Sequence, residues 1–186
     1  MLSTNIEAPI FQLKDIFGRQ IDLNDYRNKK LFIGFFRHAG CPFCNLRVHA
    51  LTKIHEELKE AGTEMIFFFE SPERVLLRSS FHQEVSPIPL IADPEKIWYK
   101  RYGLEESGSQ SAISHLSSFV KTAWEARKAN VPIHMMAADE SIKTMPAEFL
   151  IGYDLKIEKV LYSKRLNERL DIEEVKSFGL LNPVIS

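Results

Sequence analysis

Cysteine is scarce in this chain: two in 186 residues, both inside the octet RHAGCPFC, Arg37 to Cys44. Two cannot build the multi-bridge framework with which small secreted domains compensate for a thin core. An excess of one charge is also missing. Lys and Arg number 24 against 25 Asp and Glu, which leaves no electrostatic footprint for nucleic acid, an anionic membrane or an acidic tail. No apolar run reaches the length of a membrane span. The first residues, MLSTNIEAPIFQLKD, have neither the basic start nor the apolar stretch of a secretion signal. Internal repeats, low-complexity segments and an interdomain linker are absent as well. The expectation is a cytoplasmic protein whose partners are small molecules or other proteins. In a reducing compartment two cysteines are there to react rather than to staple.

What is present is enough apolar material for one core: 45% of the residues are hydrophobic and 11% aromatic. We read residues 1–186 as one domain. Residues 6–30 suit a β-hairpin, with "IFQLKD" and "QIDLNDY" either side of a turn at Ile16 to Arg19. "LFIGFF", residues 31–36, and "EMIFFF", residues 64–69, are continuous apolar runs, as in strands buried on both faces. Between them Phe43, Leu46, Ala50, Leu51, Ile54 and Leu58 recur every three or four residues, while Asn45, Lys53, Glu56 and Lys59 face away. That pattern predicts an amphipathic helix with Cys41 at the N-cap, Pro42 in its first turn and Gly62 beyond its end. Residues 31–69 thus make a βαβ unit.

Further on, Ser71-Pro72 opens a helix to about His82, "PLIAD" is a short strand, and Asp93-Pro94 starts a helix carrying Ile97, Trp98 and Tyr102. A helical insertion occupies about 105–145, and its amphipathic stretch from Ala112 to Ala129 reads first as core packing. The alternatives are a lid over the site or a homo-oligomer face. "FLIGYDLKIEKVLY", residues 149–162, is an antiparallel pair, and Asp171 caps a last helix over 171–178.

The CxxC pair has three readings. A thiol at a helix N-terminus meets unpaired N–H groups and the positive end of the dipole, both of which favour thiolate. Its neighbour one turn on is close enough to bridge, and Arg37 and His38 just upstream add positive charge. Zinc needs four ligands, and there is no second CxxC; His49, His55, His82, His115 and His134 do not fall into finger-type pairs. Free cysteine also fills cores. Against that, the pair follows a buried strand where a helix begins, the edge at which α/β sheets gather chemistry. Redox chemistry is the favoured reading.

The sequence resembles the thioredoxin-like superfamily, and within it the peroxiredoxin-like branch related to alkyl hydroperoxide reductase and thiol-specific antioxidant proteins. "APIFQLKDIFGRQIDLNDYRNKKLFIGFF" is similar to that branch's N-terminal extension and first core strand, and "FRHAGCPFCNLRVHAL" to its active-site strand, loop and helix. "MPAEFLIGYDLKIEKVLY" resembles the later hairpin, entered through a proline commonly held in cis beside the redox site, here Pro146. The resemblance implies an α/β thioredoxin-like fold: a central mixed sheet flanked by helices, with an N-terminal β-hairpin extension. It also implies a thiol oxidoreductase cycling Cys41 and Cys44 between dithiol and disulfide, with no organic cofactor or metal.

On the peroxiredoxin pattern PxxxTxxC, Arg37 stands at the proline position, Cys41 at the threonine and Cys44 at the peroxide-attacking cysteine. The supporting distant arginine is expected near Met145-Pro146, and neither is arginine. Thioredoxin-type chemistry makes Cys41 the accessible attacker and Cys44 the resolving thiol; peroxiredoxin-type chemistry reverses them. Arg37, His38 and Pro146 are the expected substrate-side residues. The substrate is a peroxide or a protein disulfide, and the reductant is thioredoxin, glutaredoxin or a small thiol. The remaining reading is a thioredoxin-like binding module whose thiols sense redox state or stay idle.

Overall fold

The computed structural model describes residues 1–104 and 144–181. The helical insertion expected over about 105–145, with its helix from Ala112, lies outside the described residues but for Thr144 and Met145.

The expected hairpin forms from β1 (Gln12–Lys14) and β2 (Gln20–Asp22), antiparallel with Leu13 opposite Ile21. Gly18 takes φ +81° in its turn, a conformation only glycine adopts without strain. "QIDLNDY" does not run on as strand. The Asp22 carboxylate accepts the Asn24 N–H at 2.8 Å and turns Leu23–Tyr26 into a single 3-10 helix.

Both apolar runs are strands. β3 (Lys30–Phe36) and β4 (Thr63–Phe69) pair in parallel, from Lys30 opposite Thr63 to Phe36 opposite Phe69. β5 (Leu90–Ala92) lies parallel to β4, β6 (Ala147–Ile151) antiparallel to β3, and β7 (Ile157–Tyr162) antiparallel to β6. The order β5-β4-β3-β6-β7 puts β3 in the middle of a mixed sheet. Alternation along the strands then divides the core. Phe32, Phe36, Phe67, Phe69 and Leu150 face one layer, and Leu31, Ile33, Phe35, Phe68 and Phe149 the other. In the second layer Phe35 stacks on Phe68 at 4.5 Å, and Phe11, Tyr99 and Tyr102 close over them. Each such side chain fully buried contributes about 1.5–3 kcal/mol of transfer free energy, which the loss of conformational entropy largely offsets.

α1 (Pro42–Glu60) covers the first layer with Phe43, Val48, Leu51 and Leu58, and α5 (Ile172–Leu180) packs beside it. Asp171 caps α5 by accepting the Glu173 N–H. Two residues past the expected end, the helix is held by the buried Lys30, whose Nζ donates to the Phe178 and Leu181 carbonyls at 2.6 and 2.7 Å. Asn45, expected to face solvent, is fully buried because the site loop uses its amide, as described below.

Two further boundaries differ from expectation. The helix read from Ser71 to His82 is two, α2 (Glu73–Arg78) and α3 (Ser80–Glu84), parted at an extended Ser79 whose hydroxyl lies 2.7 Å from His82 Nδ1. Asp93 serves its helix from further back than expected: α4 (Ile97–Arg101) begins after a left-handed Lys96, and the Asp93 carboxylate collects the N–H groups of Ile97, Trp98 and Tyr99.

Candidate active site

β3 ends at Phe36, and the chain crosses the sheet's edge to α1 in five residues, Arg37 to Cys41. That short loop is pinned from three sides. The Tyr99 hydroxyl donates to the Phe36 carbonyl, the Ala39 N–H donates to Ser71 Oγ at 2.7 Å, and Asn45 Nδ2 donates to the Ala39 carbonyl at 2.6 Å. Ser71 was expected to begin a helix; it holds the active-site loop instead. Cys41 is the N-cap of α1 with Pro42 in the first turn. A helix of 19 residues thus points its positive end at a sulfur.

The two cysteines are unbridged and lie 3 Å apart. Guanidinium groups stand on either side. Arg37 Nη1 is 3.9 Å from Cys41 Sγ, and Arg169 Nη2 is 3.9 Å from Cys44 Sγ, which also receives the Arg37 backbone N–H at 3.4 Å. These contacts split the pair electrostatically. Burial works to raise the Cys41 thiol, but hydrogen bonds from the Cys44 side chain and backbone, with the charges of Arg37 and Arg169, bring it down to about 6. Burial pushes the Cys44 thiol well up, its hydrogen bond to Cys41 and the charge on that sulfur add to the rise, and the two arginines pull against it. The two thiols are thus pushed in opposite directions. The accessibility expected of Cys41 is not found, since only 1% of it is exposed and none of Cys44.

The other expected residues fare unequally. Arg37 reaches Cys41 as stated. His38, 6% exposed, is brought down to about 4 by burial and by neighbouring Arg37, so it stays neutral and adds no positive charge. Pro146 is buried at the entry to β6, where its carbonyl accepts the Ser163 N–H and the chain already runs in the β6–β7 ladder. The cis proline bond among the described residues is Ser86–Pro87, not Met145–Pro146. No group of three or more His, Cys, Asp or Glu side chains among the described residues is gathered to hold a metal.

Four charged residues at the site were not singled out from the sequence. Arg169, on the loop before α5, brings its Nη2 to 3.9 Å from Cys44 Sγ. Glu148, in the middle of the buried β6, binds Arg47 of α1 through both oxygens at 2.8 and 2.9 Å and lies 3.6 Å from Arg169 Nε. A lone acid in "AEFLI", and an arginine one turn beyond Cys44 on the apolar stripe of α1, were the available signals. At the end of β4, Glu70 accepts the Thr144 hydroxyl at 2.6 Å and pairs with Lys96 at 3.3 Å; burial raises its carboxyl against these partners and the charge of Arg37.

Comparison with known proteins agrees with this architecture. Peroxiredoxin Bcp of Escherichia coli (strain K12) is 26% identical over 98 residues, 52% of this chain and 62% of Bcp. The thiol-disulfide oxidoreductase ResA of Bacillus thuringiensis subsp. konkukian is 26% identical over 98 residues, 53% of this chain and 56% of ResA. The chain therefore spans less than two thirds of the length of these curated relatives. Among solved structures, peroxidoxin BcpB from Mycobacterium tuberculosis superposes over 100% of both chains with a TM-score of 0.65 at 15% identity, a likeness of fold. The sequence pattern of the AhpC/TSA family matches residues 5–160, well over half of the 186 and inclusive of β3, the cysteine loop and β6. The chain belongs to the AhpC/TSA family.

Proposed function

We propose that the protein is a thiol oxidoreductase that reduces peroxides, with Cys41 as the attacking sulfur and Cys44 as the one that closes the disulfide. The observation that carries this reading is the pair of unbridged sulfurs 3 Å apart, with Cys41 at the N-cap of α1 and 3.9 Å from the Arg37 guanidinium. The Cys41 thiolate attacks one peroxide oxygen, the O–O bond breaks, and the alkoxide or hydroxide leaves to take up a proton from solvent. Cys41 becomes a sulfenic acid. The Cys44 sulfur then bonds to the Cys41 sulfur, and its proton leaves with the sulfenic hydroxyl as water. A dithiol or two thiols, from thioredoxin, glutaredoxin or a small thiol, return the pair to the reduced state. Arg37 steadies the thiolate and the charge growing on the departing oxygen. His38 and Pro146 are read as neutral walls of the substrate side. We read the whole chain as one domain acting in the cytoplasm, where free thiols persist; no helix among the described residues is long and apolar enough to cross a membrane.

A second reading has a protein disulfide as the oxidant, and it is favoured by one specific feature. Cys41 occupies the position where the peroxiredoxin pattern has threonine, which makes the site a thioredoxin-type CxxC with its thiolate at the N-cap. Stopped-flow oxidation by hydrogen peroxide and by an organic hydroperoxide, beside the rate of insulin disulfide reduction, separates the two. Peroxide is expected to oxidise the pair far faster than it oxidises a free thiol. A peroxide rate equal to that of a free thiol, with brisk insulin reduction, removes the peroxidase reading.

A further inference from the structure

Glu148 is a costly residue to place where it is. Its side chain is wholly buried in the middle of the sheet, on the layer that faces α1 and the cysteines. Across the strands Glu148 lies opposite Gly34 of β3, where a Cβ would meet the Phe36 ring at 2.7 Å. The carboxylate has its full set of partners. Oε1 meets Arg47 Nε at 2.8 Å and Arg169 Nε at 3.6 Å, while Oε2 meets Arg47 Nη2 and the Leu170 N–H, each at 2.9 Å. Two guanidinium groups against one carboxylate leave a positive charge in the core beside the thiols.

Arg169 lies in the field of that carboxylate. Its Nε is 3.6 Å from Glu148 Oε1, an ion contact without a hydrogen bond, Nη1 donates to the Glu168 carbonyl at 2.6 Å, and Nη2 lies 3.9 Å from Cys44 Sγ. The Leu170 N–H bond to the same carboxylate fixes the backbone that carries this arginine. The charge of Arg169 favours the anion on both sulfurs, but on Cys44 its pull is opposed by the hydrogen bond to Cys41 and the charge on that sulfur. Once Cys41 is oxidised its negative charge is gone, and Arg169 is left to stabilise the anion that must form on Cys44 before the bridge can close.

We propose that Glu148 is a positioning residue for the second chemical step: it holds Arg169 against Cys44 so that this sulfur ionises as it attacks the oxidised Cys41. The proposal rests on the reading above that Cys41 attacks first. It predicts a split between two steps that a merely structural carboxylate would not produce.

The test needs no peroxide. Reduced protein is mixed with 5,5'-dithiobis(2-nitrobenzoate) in a stopped-flow instrument and the thionitrobenzoate released is followed by absorbance. In the first release Cys41 thiolate displaces one thionitrobenzoate and forms a mixed disulfide. In the second, the Cys44 sulfur attacks Cys41 in that mixed disulfide, displaces the other thionitrobenzoate and leaves the Cys41–Cys44 bridge, its proton passing to buffer. Glu148→Asp keeps the charge but is too short to span Arg47 and Arg169, and Arg169→Lys keeps the charge but loses the fork; the second serves where the first does not fold. Either variant keeps the charge that helps to hold Cys41 down, so the first release is expected to slow by less than the second. The second slows about threefold or more, the net of a tenfold smaller thiolate fraction and a more nucleophilic sulfur per unit rise in its titration point. Its pH profile moves to the alkaline side. Unchanged second release in folded Arg169→Lys, or equal slowing of both releases, overturns the proposal alone. A slowed first release together with full-rate first release in Cys41→Ser overturns the order of attack, and the proposal with it.

Discussion

Cys41→Ser is expected to reduce peroxide turnover to the background of an unactivated thiol and to abolish bridge formation. The remaining sulfur, Cys44, is wholly buried, and that burial, the largest cause of its raised titration, persists when the hydrogen bond and charge of Cys41 are lost. An ordinary free thiol is already only a few per cent ionised at neutral pH, and the thiolate is the nucleophile. Cys44→Ser has a different outcome. It puts a serine hydroxyl, also a donor, where the Cys44 S–H stood and leaves the N-cap and Arg37 in place, so one equivalent of peroxide is consumed at close to the parent rate and the reaction stops at the sulfenic acid. Mass spectrometry with a sulfenate-trapping reagent distinguishes them: one trapped oxygen on Cys41 in Cys44→Ser, and none on Cys44 in Cys41→Ser. A stoichiometric sulfenate on Cys44 in Cys41→Ser reverses the assignment.

Glu148→Ala is expected to have the largest effect on stability. The side chain is fully buried between Arg47 and Arg169, themselves 8% and 10% exposed at their side chains. Removing it leaves two positive charges facing each other in the core and strips the Leu170 N–H of its partner. Loss of one member of a buried charge group costs about 3–5 kcal/mol, against under 1 kcal/mol for an exposed pair. For a chain of this size that lowers the melting temperature by on the order of 10 °C. Urea denaturation with the parent protein as reference measures it. Arg27→Ala, which breaks an exposed pair with Glu7, is the control and should cost under about 1 kcal/mol. Equal midpoints for the two variants contradict the account of the buried network.

The parts legible in the sequence are those where pattern and local chemistry agree. "LFIGFF" and "EMIFFF" declare buried strands because nothing in them alternates, and Pro42 and Gly62 bracket α1 by backbone rules that hold in almost any context. Cys41 at the N-cap follows from the same bracket. What was not legible depends on contacts distant in the chain. Asn45 looked like a surface residue by helical period, yet its amide serves a carbonyl six residues back in the loop. Arg169 is 125 residues from Cys44, lies past the end of the family match and has no spacing to mark it. Its role could be seen only once β6, the following loop and α1 had been brought together. Glu148 and Arg47 were visible as charges at core positions, but the sequence did not say that they were partners. His38 shows the opposite failure. Its place beside the cysteines suggested charge, and burial removes it.

The central claim is that the thiolate belongs to Cys41 and is made by the helix start, its neighbour's S–H and two arginines. Ultraviolet thiolate absorbance of the reduced protein, titrated against pH in the parent, Cys41→Ser and Cys44→Ser, tests it most directly. The account predicts a wave centred at about 6 in the parent that rises with pH, persists in Cys44→Ser and is absent from Cys41→Ser. A wave near that pH that survives in Cys41→Ser and is lost from Cys44→Ser contradicts it.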